Sequence, residues 1–205
     1  FWVYIGEGMR PALCGIFTYF VLIFIVAISS HYSVTMEKMG GAFFFSVLIP
    51  YFLSSFTRLH ELELGSYLIL LPLVVAFTSD AFALFAGMAF GKHKLAPDLS
   101  PKKTVEGAAG GFAGAIVCCL IYGLVMQFGF QMKVNYLCLI LYGALGSVIS
   151  QIGDLSFSYI KRQYKIKDFG NIFPGHGGVL DRFDSVIFCA PLIEILVMFL
   201  PAFSR

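Results

Sequence analysis

The chain predicts an all-α fold, a polytopic transmembrane helical protein, on three observations. Of its 205 residues 59% are hydrophobic and 13% charged, against about 25% charged in a soluble domain. Mean hydropathy is +0.85. The apolar residues are also gathered into runs close to the roughly 20 residues that a helix needs to cross a bilayer. Together these exclude a water-soluble globular core. The net charge of +2 excludes little by itself.

Residues 11–29 give a first span and 40–56 a shorter, continuous one. Gly65–Phe90 is long and carries Asp80. Residues 107–128 and 134–152 follow, and 186–203 close the chain, which makes about six spans. The sequence opens on FWVYI with no initiator Met and no cleavable signal pattern. Helices N-terminal to residue 1 are therefore expected to be missing. Nine of the fourteen Lys and Arg residues fall in segments 92–103 and 161–182, and the positive-inside rule puts both at the cytoplasmic face. That orientation leaves 127–133 and 57–64 outside and 31–39 inside, with Arg58 as an exception. The cysteines (Cys14, Cys118, Cys119, Cys138 and Cys189) sit in apolar runs without metal-type spacing and read as reduced packing residues. Gly107/Gly111 and Gly110/Gly114 are small-xxx-small pairs, which in lipid favour close helix contact.

Chemistry concentrates in residues 158–184, SYIKRQYKIKDFGNIFPGHGGVLDRFD. Here five cations (Lys161, Arg162, Lys165, Lys167, Arg182) and three carboxylates (Asp168, Asp181, Asp184) surround a Gly-His-Gly-Gly turn. Lysines and arginines neutralise phosphate oxygens, and glycines let backbone N–H groups approach them. Aspartates hold a hard cation such as Mg²⁺, which binds a few carboxylates together with substrate phosphates. If the fifth helix continues past its apolar run, Asp154, Ser158 and Lys161 share a face. Asp181 and Asp184 are three apart, so one helical turn aims both at a common metal. A set drawn from Asp154, Asp181 and Asp184 suffices for one or two cations. Asp168 either orients Lys167 or caps the turn.

Outside that segment, Asp80 lies deep in an apolar run, where an ionisable group is costly. It either serves function or pairs with a lysine of a neighbouring helix. Glu194 reads as a polar contact between helices. In SPKKTVEG, Lys102 and Lys103 precede a helix start, which makes either an anion site or a cap with topogenic lysines. His176, between glycines and with no Ser or Cys partner, suits phosphate contact or turn stabilisation rather than a catalytic triad.

The spacing from Ser158 through Lys161-Arg162, Lys167-Asp168-x-Gly170 and Phe173-Pro174-x-His176-Gly177-Gly178-Val179-x-Asp181-Arg182-Phe183-Asp184 resembles the pattern of integral-membrane phosphatidate cytidylyltransferases, the CDP-diacylglycerol synthases. Two upstream segments, Asp80-Ala81-Phe82-Ala83-Leu84-Phe85-Ala86-Gly87 and Ser100-Pro101-Lys102-Lys103-Thr104-Val105-Glu106-Gly107, resemble segments of the same family, although Val105 stands where the family usually has Trp. The resemblance implies transfer of the cytidylyl group of CTP to phosphatidic acid, giving CDP-diacylglycerol and pyrophosphate. It implies a single transmembrane catalytic domain over 1–205 with its core at 65–205. It implies Mg²⁺, with K⁺ as a further monovalent cation, and a homodimer in the bacterial inner membrane or its equivalent, the site facing the cytoplasm. Nucleic acid is not an expected partner.

Metal binding falls, by resemblance, to Asp154 and Asp181, with Asp184 as a third. Lys161 and Lys167 join Asp154 and Asp181 as catalytic residues. Ser158, Arg162, His176, Gly177, Gly178, Arg182, Lys102, Lys103 and Asp80 are the expected substrate contacts. Two rival readings stand beside this one. A CTP-dependent lipid kinase of the polyprenol or phytol type attacks the γ-phosphorus instead, and the full 158–184 pattern argues against it. An ion-coupled transporter is suggested by Asp80 and Glu194, but most of the charge lies at one interface rather than at the midplane.

Overall fold

The computed structural model describes residues 9–30, 34–170 and 177–204. Helix α1 (Met9–Ser29) is followed by a broken helical segment. That segment comprises α2 (Met36–Phe43), a π-helical turn (Phe44–Leu48), α3 (Ile49–Leu53) and α4 (Ser55–His60). A short α5 (Gly65–Leu68) leads into α6 (Leu71–Phe90). Strands β1 (Lys94–Ala96) and β2 (Ser100–Thr104) form an antiparallel ribbon before α7 (Val105–Phe130). Strand β3 (Lys133–Val134) precedes α8 (Tyr136–Gln163), then come α9 (Leu180–Phe199) and β4 (Phe203–Ser204), which pairs with β3.

The helical expectation holds in outline, and four segments are long and apolar enough to cross a membrane: Met36–His60, Gly65–Phe90, Val105–Phe130 and Tyr136–Gln163. Leu13–Ser29 is a shorter apolar helix. The all-α expectation misses the two ribbons, because their short strands are cut from polar and Pro-containing sequence with no alternation to betray them. Three spans also have other limits than expected. The second opens at Thr35, whose side chain accepts the Lys38 N–H, and is broken where Pro50 lacks an N–H to donate. The fifth runs eleven residues beyond its apolar stretch, from 152 to 163. Its last three turns are amphipathic and pack Phe157 inward. The helix at the expected sixth span begins at Leu180 and stops at Phe199, before Pro201, so 203–204 are strand rather than helix.

The core is formed by α6, α7, α8 and α9. Leu71 and Val75 of α6 meet Ala115 and Cys119 of α7, Leu139 and Tyr142 of α8, and Cys189 and Ile193 of α9, all fully buried. Such packing, rather than the hydrophobic effect, drives helix association in lipid. The two glycine pairs of α7 lie against α6. A Cβ on Gly111 would stand 2.6 Å from the Ser79 carbonyl oxygen, and one on Gly107 2.7 Å from that of Ala83. Both sequence pairs therefore act in packing. Arg58 forks onto Glu194, its Nη2 donating to Oε2 at 2.7 Å, and also reaches the Ser54 and Ser55 hydroxyls. This explains the exceptional Arg58 and bears out Glu194 as a contact between helices. A second cluster, Ile49, Phe157 and Ile187 with surrounding phenylalanines, joins the broken segment to α8 and α9.

Candidate active site

Polar side chains gather where α6, the β1–β2 ribbon, α8 and α9 meet. The ribbon is anchored at both ends. Thr104 caps α7 by accepting the Gly107 N–H at 3.1 Å, and the Glu106 carboxylate takes the N–H groups of Lys92 and His93 and the His93 ring. Arg162 Nε donates to the Leu99 carbonyl at 3.3 Å, tying the ribbon to the end of α8. The capping and anion-site readings of this segment are thus compatible, since Lys102 and Lys103 remain on the cleft.

The cleft encloses about 700 Å³, and its walls include Asp80, Lys102, Lys103, Asp154, Asp181 and Asp184. Because α8 is continuous helix through Gln163, Asp154, Ser158 and Lys161 do share one face. Asp154 forms an ion pair with Lys103, both about a quarter exposed. Asp181 and Asp184 occupy the first turns of α9. Asp181 is nearly enclosed: its Oδ1 accepts Lys161 Nζ at 2.9 Å, and its Oδ2 accepts Phe169 N–H at 2.8 Å and Gly178 N–H at 2.9 Å. Both oxygens of the Asp181 carboxylate are thus satisfied, by one ammonium and two backbone N–H groups. Gly177 has φ +83°, and a Cβ there would lie 3.0 Å from Asp181 Oδ2, so the turn needs glycine.

Asp80 does not pair with a lysine among the described residues. Its Oδ2 accepts the Ser185 hydroxyl at 2.7 Å, and the Ser185 N–H caps Asp184 Oδ1 at 2.8 Å. Asp80, Asp154 and Asp184 lie near enough to repel one another. Behind them Gln151 Nε2 bridges the Ala108 carbonyl and Ser147 Oγ, each at 3.1 Å, which fixes α8 against α7. No three His, Cys, Asp or Glu side chains among the described residues form a closed metal cage.

Of the residues expected from the sequence, the structure brings Asp80, Lys102, Lys103, Asp154, Asp181 and Asp184 together on one cleft. Lys161 reaches it through Asp181, and Gly178 through its N–H. Ser158 is half-buried off the cleft walls, and Arg162, Lys167 and Arg182 are exposed outside them. His176 lies outside the described residues. Lys94, Gln151 and Ser185 are missed. Gln151 had a signal, lying one turn before Asp154 on the same face. Ser185 had none beyond adjacency to Asp184.

Carboxylates and lysines thus face one another across one cleft of a helical protein with four segments long and apolar enough to cross a membrane. Residues 3–200 match the cytidylyltransferase family, and the chain belongs to that family. A phosphatidate cytidylyltransferase of Bacillus subtilis (strain 168) is 40% identical over 164 residues, covering 80% of this chain and 60% of the relative. One of Staphylococcus haemolyticus is 43% identical over 134 residues, 65% of this chain and 50% of its own. One of Rickettsia bellii is 35% identical over 180 residues, covering 85% and 78%. The chain therefore spans only half to three fifths of the first two relatives.

Proposed function

We propose that this chain is the catalytic part of a phosphatidate cytidylyltransferase, joining the phosphate of phosphatidic acid to the α-phosphorus of CTP and releasing pyrophosphate. The observation that carries the reading is the composition of the cleft. Four aspartates and the lysines 94, 102 and 103 line it, while Leu84 and Met88 form an apolar wall. Leu84 and Met88 are 60% and 68% exposed on the span Gly65–Phe90, so the wall is continuous with a lipid-facing surface. An amphiphile with a phosphate head suits such a site. Its nucleophile is a phosphate oxygen, ionised near neutral pH since the second pKa of a phosphomonoester is about 6. No strong general base is needed, and catalysis rests on positioning and charge neutralisation.

Mg²⁺ fits the donor set. Asp154 and Asp181 each hold a lysine ammonium, Lys103 and Lys161, in the position of a counter-cation. With Asp184 on the same cleft, these carboxylates would hold the metal, which supplies charge neutralisation at the phosphates. The lack of a closed cage agrees with Mg²⁺, which keeps waters and substrate oxygens among its ligands. Lys102, Lys103, Lys161, Lys167, Arg162 and Arg182 neutralise phosphates in this reading, those outside the cleft walls meeting the part of the substrates that extends beyond it, and Ser158, His176, Gly177 and Gly178 are further substrate contacts. Asp80 orients the site through Ser185. K⁺ beside Mg²⁺, a homodimer, and six spans including α1 and α9 with the cleft facing the cytoplasm complete the proposal.

The test is radiolabelled CTP with phosphatidic acid in detergent, with and without Mg²⁺. The expected products are CDP-diacylglycerol and pyrophosphate, only with the metal. Release of CDP with a phosphorylated lipid would make the protein a CTP-dependent lipid kinase instead.

A further inference from the structure

Phe169 sits where the loop after α8 meets the rest of the protein, and it touches both members of an ion pair at once. Its N–H donates to Asp181 Oδ2 at 2.8 Å. Its ring lies 5.6 Å from Lys161 Nζ, within cation–π range. The same ring is held edge-on by Phe157 at 5.8 Å and by Phe45 at 5.5 Å. Phe157 is fully buried and lies one helical turn before Lys161 on α8. Phe45 belongs to the π-helical turn of the broken segment, and its neighbour Phe44 meets Phe157 at 6.4 Å. Turns of that kind occur frequently at functional sites. Phe44, Phe45 and Phe169 do not line the cleft.

We propose that Phe169 is a positioning residue for the Lys161/Asp181 pair, seated by Phe45, so that the broken segment acts on the cleft without contributing a wall to it. A lysine carries a long flexible stem and a strongly hydrated head. Asp181 restrains the head through the ion pair and the Phe169 ring through its π face. The ring is fixed in turn by two aromatic edges from different helices. The backbone N–H of the same residue neutralises the second oxygen of Asp181, so one residue sets the geometry of both partners. The proposal rests on the cytidylyltransfer reading for what that pair then does.

The test is a double-mutant cycle between Phe169→Ala and Lys161→Met in the full chain, read in kcat/KM for CTP. Acting through Lys161, the ring is worth about 10- to 100-fold, as partners of functional side chains commonly are. Once Lys161→Met has removed the ammonium, the same change should cost less than about threefold. Equal losses in both backgrounds overturn the proposal, because a ring that only supports the fold acts whether or not Lys161 is present. Phe169→Tyr keeps the π face and should retain activity, while Phe169→Leu keeps bulk alone and should not; full activity in the leucine variant also overturns it. Phe128→Ala, on the exposed face of α7, serves as the unchanged control. A second cycle, Phe45→Ala with Phe169→Ala, is read in thermal unfolding without substrate, and additive shifts there refute the seat. A wild-type protein that makes no CDP-lipid refutes the cytidylyltransfer reading and the positioning role with it. An active wild type with additive cycles refutes the positioning role alone.

Discussion

Asp181 accepts three donors on two oxygens, and that arrangement decides what its replacement does. Asp181→Asn keeps one acceptor for Lys161 but turns an NH₂ group toward two donors, the N–H groups of Phe169 and Gly178. The variant should insert and fold, with a stability loss of about 1–3 kcal/mol for each mismatched bond. Turnover should fall at least about 100-fold, the scale of losing one electrostatic stabiliser in an active site. Detergent-based thermal unfolding and the CTP assay check the two halves; a variant that never accumulates folded would make the residue structural. Asp154→Asn should match it in activity, and the double variant should be little worse than either, as for residues serving one centre. Fully additive losses would argue against a shared metal. Glu194 is the contrasting carboxylate. Glu194→Gln weakens the fork to Arg58, which is 30% exposed, so the cost is about 1–3 kcal/mol rather than the larger figure for a fully buried pair. Its kcat/KM should be unchanged, since the pair does not line the cleft.

Among the elements, the glycine face of α7 and the ribbon before it act together. The ribbon delivers Lys103 to Asp154, and α7 holds α6 with its Asp80 close by. Gly111→Val puts a branched side chain where a single Cβ already meets the Ser79 carbonyl oxygen at 2.6 Å. Overpacking of this kind costs about 1–3 kcal/mol, and parting α6 from α7 should raise the KM for CTP as well. Gly129→Ala on the same helix meets nothing within 4 Å and should leave both values alone. Lys102→Gln and Lys103→Gln should each lower kcat/KM for at least one substrate; wild-type values for both substrates in both variants would remove the ribbon from the site. Much of this is legible in the sequence: the small-xxx-small spacing gives a close helix contact on α7, though not its partner α6, and SPKKT gives the lysines. The antiparallel ribbon is not, because it is closed by Glu106 gripping the N–H groups of Lys92 and His93 on the far side of the ribbon. Neither is the role of Ser185, whose hydroxyl finds Asp80 only once α6 and α9 pack. The length of α8 is legible only as a condition, since its last turns are polar on one side and their helical state depends on Phe157 finding a core.

At the scale of the whole molecule, the cleft lies at the β1–β2 end of α7 and the β3–β4 ribbon at the other. The 26 residues of α7 make a rod of about 39 Å at 1.5 Å per residue, enough to cross a bilayer. Asp98, exposed in the turn of the first ribbon, and Lys133, exposed at the start of β3, are therefore expected on opposite faces of the membrane. By the positive-inside rule the charge near the first ribbon is expected to turn that end toward the cytoplasm, the side from which the proposed substrate CTP would enter. Single cysteines at positions 98 and 133, in a background with Cys14 and the other native cysteines replaced, test this in intact cells with a membrane-impermeant maleimide. Position 133 should label from outside, and position 98 only after permeabilisation. The reverse pattern would turn the protein over and put the cleft on the wrong side for the proposed nucleotide. Labelling of both positions from outside would mean that α7 does not cross the bilayer, and the topology built on it would fall.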